Sequence, residues 1–117
     1  MKIENLKPIE WVGTSLADLK TFPDEVCDAV GFALYRAQLG FKHHSAKPLK
    51  GFDGVFEIVS NHLTDTYRAV YAVKIGATIY VLHAFQKKSK QGIKTPKSDV
   101  NLIKQRLKIA QSLAKEV

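Results

Sequence analysis

Apolar and polar residues along this chain repeat with two different periods, and the changes of period mark its elements. Lys7 to Val12 reads as a first strand, with Ile9 and Trp11 alternating against Glu10, and Gly13 ends it. Ser15 with Asp18 three residues later resembles a capping box, and Leu16 and Leu19 give a brief helical turn. Pro23-Asp24-Glu25 suits a helix first turn, because proline needs no amide partner there and acids complement the positive end of the helix dipole. Val26, Val30, Ala33, Leu34 and Ala37 then recur at helical spacing as far as Gly40, so a helix is expected from Pro23 to Leu39. Phe41 to Gly54, rich in Lys, His, Pro and Gly, reads as a surface loop.

Three runs of β-branched and aromatic residues follow, Val55 to Ser60, Thr66 to Lys74 and Thr78 to Phe85, and should form an antiparallel meander. Ile75-Gly76-Ala77-Thr78 has glycine first of two central residues, the pattern of a two-residue type II′ hairpin. That register sets Arg68 opposite Phe85. It gives Arg68, Val70 and Ala72 one face with Ile79, Val81, His83, Phe85 and, if the strand continues, Lys87. Tyr67, Ala69, Tyr71, Val73, Tyr80, Leu82 and Ala84 make the more apolar opposite face, which should meet the helices. Arg68, His83 and Lys87 are then expected together on an open, concave side, with Lys88 at the strand end pointing away. Thr95-Pro96 opens a last helix with Val100, Ile103, Leu107, Ala110 and Leu113 or Ala114 along one face. The expected fold is α+β, a mostly antiparallel sheet of an N-terminal strand plus a three-strand meander, with two N-terminal helices packed on one face and a C-terminal helix.

Composition narrows this without changing it. With 117 residues, 45% apolar and 25% charged, the chain suits one domain spanning 1–117 and leaves no room for a long disordered tail. No stretch approaches the roughly 20 apolar residues of a membrane span, and Met1 to Pro8 lacks the apolar core of a signal peptide, so a cytoplasmic protein is expected. The single cysteine, Cys27, cannot form an internal disulfide and follows Asp24 and Glu25, a poor setting for a thiolate nucleophile. Charge is more informative: 18 Lys+Arg against 11 Asp+Glu give +7, concentrated in the second half. Phe41 to Lys50 holds three lysines and two histidines with no acid, and Phe85 to Lys97 holds five lysines with none. Such stretches attract phosphates or an acidic protein.

Cations on one sheet face suit RNA cleavage without a metal. The ribose 2′-hydroxyl attacks the neighbouring phosphorus, charge develops on phosphoryl and leaving oxygens, and fixed guanidinium and ammonium groups stabilise it. A lysine or histidine crowded by other cations can move the proton. Arg68, Lys87, Lys88 and His83 are therefore the candidate catalytic residues, and Lys47, Lys50 and Lys90 the candidate RNA contacts. Each has a plainer reading: Arg68 as a solvent-facing strand residue or a partner of Glu57, Lys87 and Lys88 as a charged strand end, His83 as a buried, hydrogen-bonded histidine. His43 and His44 are adjacent, which should splay their rings, and His62 falls in a turn. No acid or cysteine stands at ligand spacing from any histidine, so neither a metal nor a cofactor is expected. No Gly-rich phosphate loop, G-x-S-x-G or paired-carboxylate pattern occurs.

Thr66-Tyr67-Arg68-Ala69-Val70-Tyr71, followed by Val81-Leu82-His83-Ala84-Phe85-Gln86-Lys87-Lys88, resembles the phage-related, HigB-like subgroup of the RelE/ParE toxin superfamily. Pro8-Ile9-Glu10-Trp11-Val12-Gly13 and Lys47-Pro48-Leu49-Lys50-Gly51-Phe52 are similar too, so the resemblance runs from about Pro8 to Leu113. It implies a compact α+β fold with a helical pair against an antiparallel sheet. It also implies a type II toxin that cleaves messenger RNA on the ribosome and is neutralised by a cognate antitoxin, a small HigA-like helix-turn-helix protein. In the RNA-cleaving members the arginine of the Tyr-Arg strand contacts the scissile phosphate, which matches Arg68, and a basic residue ending the last strand matches Lys87 or Lys88. The family's preceding strand often carries Lys or Arg, where this chain has Phe56-Glu57-Ile58-Val59, leaving Lys47 or Lys50 to compensate. The C-terminal acid, tyrosine or histidine of some members has no counterpart in Ser89 to Thr95. A ParE-like gyrase-binding toxin without enzymatic activity, or an inactive basic binding module, are the alternatives.

Overall fold

A computed structural model describes residues 6–87 and 95–116. The strands are β1 (Ile9–Trp11), β2 (Ala46–Pro48), β3 (Val55–His62), β4 (Asp65–Ala72) and β5 (Ile79–Lys87), and the helices α1 (Ser15–Leu19), α2 (Asp24–Gln38) and α3 (Lys97–Lys115). They build an α+β fold on one five-stranded sheet of order β1-β5-β4-β3-β2. The sheet is mixed, since β1 runs parallel to β5 while the other pairs are antiparallel. The expected loop Phe41 to Gly54 contributes the extra strand: β2 adds to the β3 edge with Ala46 buried.

Two apolar cores lie on opposite faces of the sheet. On one, Val26, Val30, Ala33, Leu34 and Ala37 of α2 pack on Ile58, Ala69, Tyr71, Ile79, Val81 and Ala84. On the other, Ile103 and Ala110 of α3 pack on Val55, Val70, Ala72, Tyr80, Leu82 and Phe85. The face expected to be open is therefore covered by α3. Helical periodicity gave α3 an apolar stripe to bury, and with α2 already occupying one side, the stripe goes to the other.

The register on which the site depends is right at Arg68 for a reason other than the expected one. Arg68 pairs with Phe85 and Val70 with His83, yet the ladder closes at Ala72 and Tyr80, with Val73 to Thr78 outside the strands. The link is longer than a two-residue hairpin, and a bulge at Val70/Tyr71 offsets it. Towards the turn the faces consequently swap: Ile79 and Val81 point to α2, and Tyr80 and Leu82 join the Arg68 face.

Other local expectations change as well. Ser15 is buried and donates to the Val81 carbonyl at 3.1 Å instead of capping α1, while Thr14 bonds the Asp18 carboxylate. His62 ends β3 and pairs with Asp65, its Nδ1 3.0 Å from Glu25, so the turn is Leu63-Thr64, with Leu63 at φ 56. The His43 and His44 rings do not splay; their centroids are 4.1 Å apart. Arg106 anchors α3 by donating to the Leu82 carbonyl at 2.9 Å and Thr14 Oγ1 at 3.0 Å. Its guanidinium lies where a Cβ on Gly13, at φ 59, would come within 2.8 Å, so this glycine meets both a turn and a close approach.

Candidate active site

At one end of the sheet, the face under α3 turns from apolar to charged. Cross-strand partners share a face, so the register puts Lys47, Glu57, Val70 and His83 in one row, Val59, Arg68 and Phe85 in the next, and Asn61, Thr66 and Lys87 in the last. Arg68, His83 and Lys87 lie on this face as expected, but none is open to solvent. Arg68 is 7% exposed and the other two are buried similarly.

Burial forces these charges to find partners. Arg68 Nη1 donates to Glu57 Oε1 at 2.5 Å, and Thr95 Oγ1 donates to Glu57 Oε2 at 3.1 Å. Lys87 shares the electrostatics of this pair. Desolvation and the Arg68 guanidinium hold its ammonium below the usual 10.5, with Glu57 acting in the opposite direction. His83 stacks on Phe85, centroids 4.7 Å apart, and its Nε2 lies 2.7 Å from Asp99 Oδ1 in the first turn of α3. A carboxylate there takes the Nε2 proton as a hydrogen bond. The approach to α3 thus reaches into both clusters, Thr95 to Glu57 and Asp99 to His83.

Two buried nitrogens have no hydrogen-bond partner among the described residues, Arg68 Nε and His83 Nδ1. Such groups cost free energy and call for a ligand or a chemical role. Arg68 keeps an Nε–H donor that Glu57 does not use, beside a second cation, and that donor suits a phosphate oxygen.

The remaining candidates fall unevenly. Lys47 is exposed on β2 directly across from Glu57, at the rim of the cluster. Lys50 is exposed in the turn after β2 and joins no hydrogen bond or ion pair of the cluster among the described residues. Lys88 and Lys90 lie outside the described residues. Sequence reasoning treated Glu57 chiefly as a cation missing from its usual strand, and it is the carboxylate on which the site is organised. The β3–β4 register could have shown it, since Val59 faces Arg68 and Glu57 is the next residue on that face. Asp99 and Thr95 had no such signal, because helical periodicity does not state which strands a first turn meets.

Among the described residues no group of three or more His, Cys, Asp or Glu side chains gathers that could hold a metal. Cys27 bonds the Leu19 carbonyl through its thiol, which burial, then Asp24 and Asp28, push above its usual range. None of the described helices is long and apolar enough to cross a membrane.

An α+β fold that buries cations and carboxylates together on one sheet face is consistent with a toxin-type fold. Residues 17–108 match the family described as Phage derived protein Gp49-like (DUF891), and the chain belongs to that family. This is a RelE/HigB-like toxin family, commonly toxin-like in toxin-antitoxin systems, which implies an antitoxin partner. A search of curated proteins gave no match.

Proposed function

We propose that this chain is a cytoplasmic type II toxin of the HigB-like subgroup that cleaves messenger RNA on the ribosome without a metal, and that its antitoxin is a HigA-like helix-turn-helix protein. The observation that carries the proposal is the unsatisfied Nε of Arg68 beside Lys87, in a chain of a toxin family. A phosphodiester oxygen takes the free edge of the guanidinium. As the 2′-oxygen bonds to phosphorus, its proton passes to the Glu57 carboxylate. The bond to the 5′-oxygen breaks, and that oxygen takes a proton from Lys87, whose lowered affinity for it suits a donor. The products are a 2′,3′-cyclic phosphate and a 5′-hydroxyl end. His83 and, at the rim of the cluster, Lys47 supply further contacts to the RNA, as do Lys50, Lys88 and Lys90.

Burial of Arg68, His83 and Lys87 favours a second reading, a ParE-like gyrase binder or a basic binding module in which the cluster only holds the fold together. Inducing the chain in cells, mapping transcript 5′ ends and following translation and DNA supercoiling separates the two. New 5′ ends within translated messages, with translation arrested, are expected. Intact messages with altered supercoiling would establish the gyrase reading instead. Arg68→Lys keeps the charge but loses the planar fork, and it should lower cleavage by about 100-fold or more.

A further inference from the structure

The face of α2 turned away from the sheet is apolar at its middle and charged at its ends, and the proposed chemistry uses none of it. At the middle Phe32 is 55% exposed, with Ala29 and Tyr35 exposed beside it. His43 meets the Phe32 ring edge-on at 5.4 Å, which positions the ring and leaves its outer side open. Acids hold the first half of the helix, Asp24, Glu25 and Asp28, and Arg36 holds the last turn. Glu25 is engaged by His62 at 3.0 Å. Among the described residues neither Asp28 nor Arg36 has an ion-pair partner, and the Arg36 guanidinium lies 4.9 Å over the Phe41 ring.

These positions are related by symmetry. Asp28 stands four residues before Phe32 and Arg36 four after, so all three fall on one stripe of the helix, centred on the ring. A two-fold axis through that point turns the stripe onto itself with its direction reversed. Asp28 of each copy then meets Arg36 of the other, Ala29 meets Tyr35, and the two Phe32 rings meet at the axis. Asp24 reaches the far end of the other helix, next to exposed Lys42. The antiparallel helices also set opposite ends of their dipoles together. Gly31 fits the same contact. It is exposed beside Phe32, is not at a positive φ, and a Cβ there would meet nothing within 4 Å. Glycine inside a helix is destabilising and nothing within one copy requires it, whereas the bare backbone gives a facing ring room to approach.

We propose that two copies of this chain associate through α2, antiparallel about a two-fold axis at Phe32, with Asp28 and Arg36 forming two equivalent ion pairs. Charge selects the occupant. A face with acids at one end and a base at the other repels part of any uniformly charged partner, RNA included, and is complemented by the same pattern reversed. A second copy carries that pattern at the required spacing. The net charge of +7 opposes association at long range, but it is screened beyond about 8 Å at physiological salt, and α2 itself carries three acids and one base. Because α2 and α3 pack on opposite faces of the sheet, the pairing leaves the cluster of Arg68, His83 and Lys87 in both copies outside the contact.

Sedimentation equilibrium of the purified full chain at physiological salt, over a wide range of concentration, tests the proposal. The wild-type chain should dimerise, and Phe32→Ser should weaken the dimer about thirty-fold or more. Asp28→Arg and Arg36→Asp each set like charges across the axis twice and should weaken it about ten-fold or more. Combined in one chain, the two exchanges restore both pairs with their signs reversed, so D28R/R36D should associate within about three-fold of wild type. Ile109→Ser, at an exposed apolar residue on α3, should leave association unchanged. The altered side chains are exposed or half-buried, and urea unfolding of each variant at a concentration where it is monomeric checks that it is folded. A wild-type chain that stays monomeric at millimolar concentration overturns the proposal, as does a dimer unaffected by Phe32→Ser. Single exchanges whose losses add in D28R/R36D also overturn it, because charges that do not face each other cannot restore one another. Association lost in Ile109→Ser moves the interface to α3 and overturns it too.

Discussion

The Arg68–Glu57 pair can be tested as an energetic unit, and the outcome decides whether the charged end of the sheet is a closed site. Both side chains are less than one-tenth exposed and are joined at 2.5 Å. Removing one member of a buried pair strands the other's charge and typically costs about 3–5 kcal/mol. Replacing both by apolar residues of similar size is often close to neutral. Arg68→Met leaves Glu57 with the Thr95 hydroxyl and the more distant field of Lys87, and Glu57→Leu removes the carboxylate that offsets the repulsion between Arg68 and Lys87. In the double variant Lys87 loses an attraction and a repulsion together, so these two effects oppose each other. Each single variant should therefore lose about 3–5 kcal/mol, and the double variant less than either, giving a coupling of about 3 kcal/mol or more. Urea unfolding reads this directly. With slopes of about 1–3 kcal/mol/M, a loss of about 3 kcal/mol moves the midpoint by roughly 1–3 M. Single losses below about 1 kcal/mol that simply add in the double variant would refute the reasoning, because only a pair well exposed to water behaves that way. The same numbers show why a cleavage defect in Arg68→Met needs a check that the protein is folded, since the loss is a large part of a typical stability of about 5–15 kcal/mol.

Three further outcomes follow from single side chains. Lys87 binds its proton less tightly in the folded chain than when unfolded, so between its lowered folded value and 10.5 the unfolded state carries more protons and stability rises with pH. Lys87→Met removes that contribution, so any stability advantage it has over wild type at neutral pH should shrink as pH rises towards 10.5 in chemical unfolding. Gly31→Ala should stabilise the free protein by about 1 kcal/mol and raise its melting temperature by roughly 4 °C, read by calorimetry. Leu63 is 90% exposed at φ 56, a conformation that costs a side chain of this type about 1–2 kcal/mol. Leu63→Gly should recover part of that as a higher urea midpoint, and a loss of stability would show that Leu63 makes contacts that matter more than its backbone conformation.

The sequence makes some parts of this fold legible for clear physical reasons. The apolar stripe of α2 specifies a helix and the side it buries, and alternation in β4 and β5 correctly puts Arg68 across from Phe85. Two omissions cancelled to give that pairing: the hairpin link is longer than Gly76-Ala77 suggests, and the bulge at Val70/Tyr71 restores the register. A bulge leaves almost no mark in a period-2 pattern, so Ile79, Val81, Tyr80 and Leu82 went to the wrong faces. β2 stayed hidden because Ala46-Lys47-Pro48 has neither length nor β-branched residues, and the β3 edge supplies what it lacks.

The larger error concerned openness, and its cause is chemical. Arg68, His83 and Lys87 on one face read as a solvent-facing patch because isolated charges are rarely buried. That rule applies to unpaired charge. Here Arg68 and Lys87 share the Glu57 carboxylate and His83 bonds Asp99, and the carboxylates come from separate parts of the chain, Glu57 from β3 and Asp99 from α3. No window of sequence short enough to show periodicity contains both members of either pair. The inverse reading is therefore the informative one: a strand that places Glu57 on the same face as an arginine signals a neutralised and coverable face. What remains unsatisfied on that face, Arg68 Nε and His83 Nδ1, is then where a substrate has something to gain. Arg68 Nε is a donor on the face that α3 covers, so a phosphate must displace the approach to α3 to reach it, and RNA binding and docking of α3 oppose each other. Conditions that loosen the start of α3 should then raise RNA affinity in proportion, and Asp99→Ala together with Thr95→Val provides that comparison by titration of a short RNA. Weaker RNA binding in the pair of substitutions would show that Thr95 and Asp99 belong to the binding surface instead of competing with it.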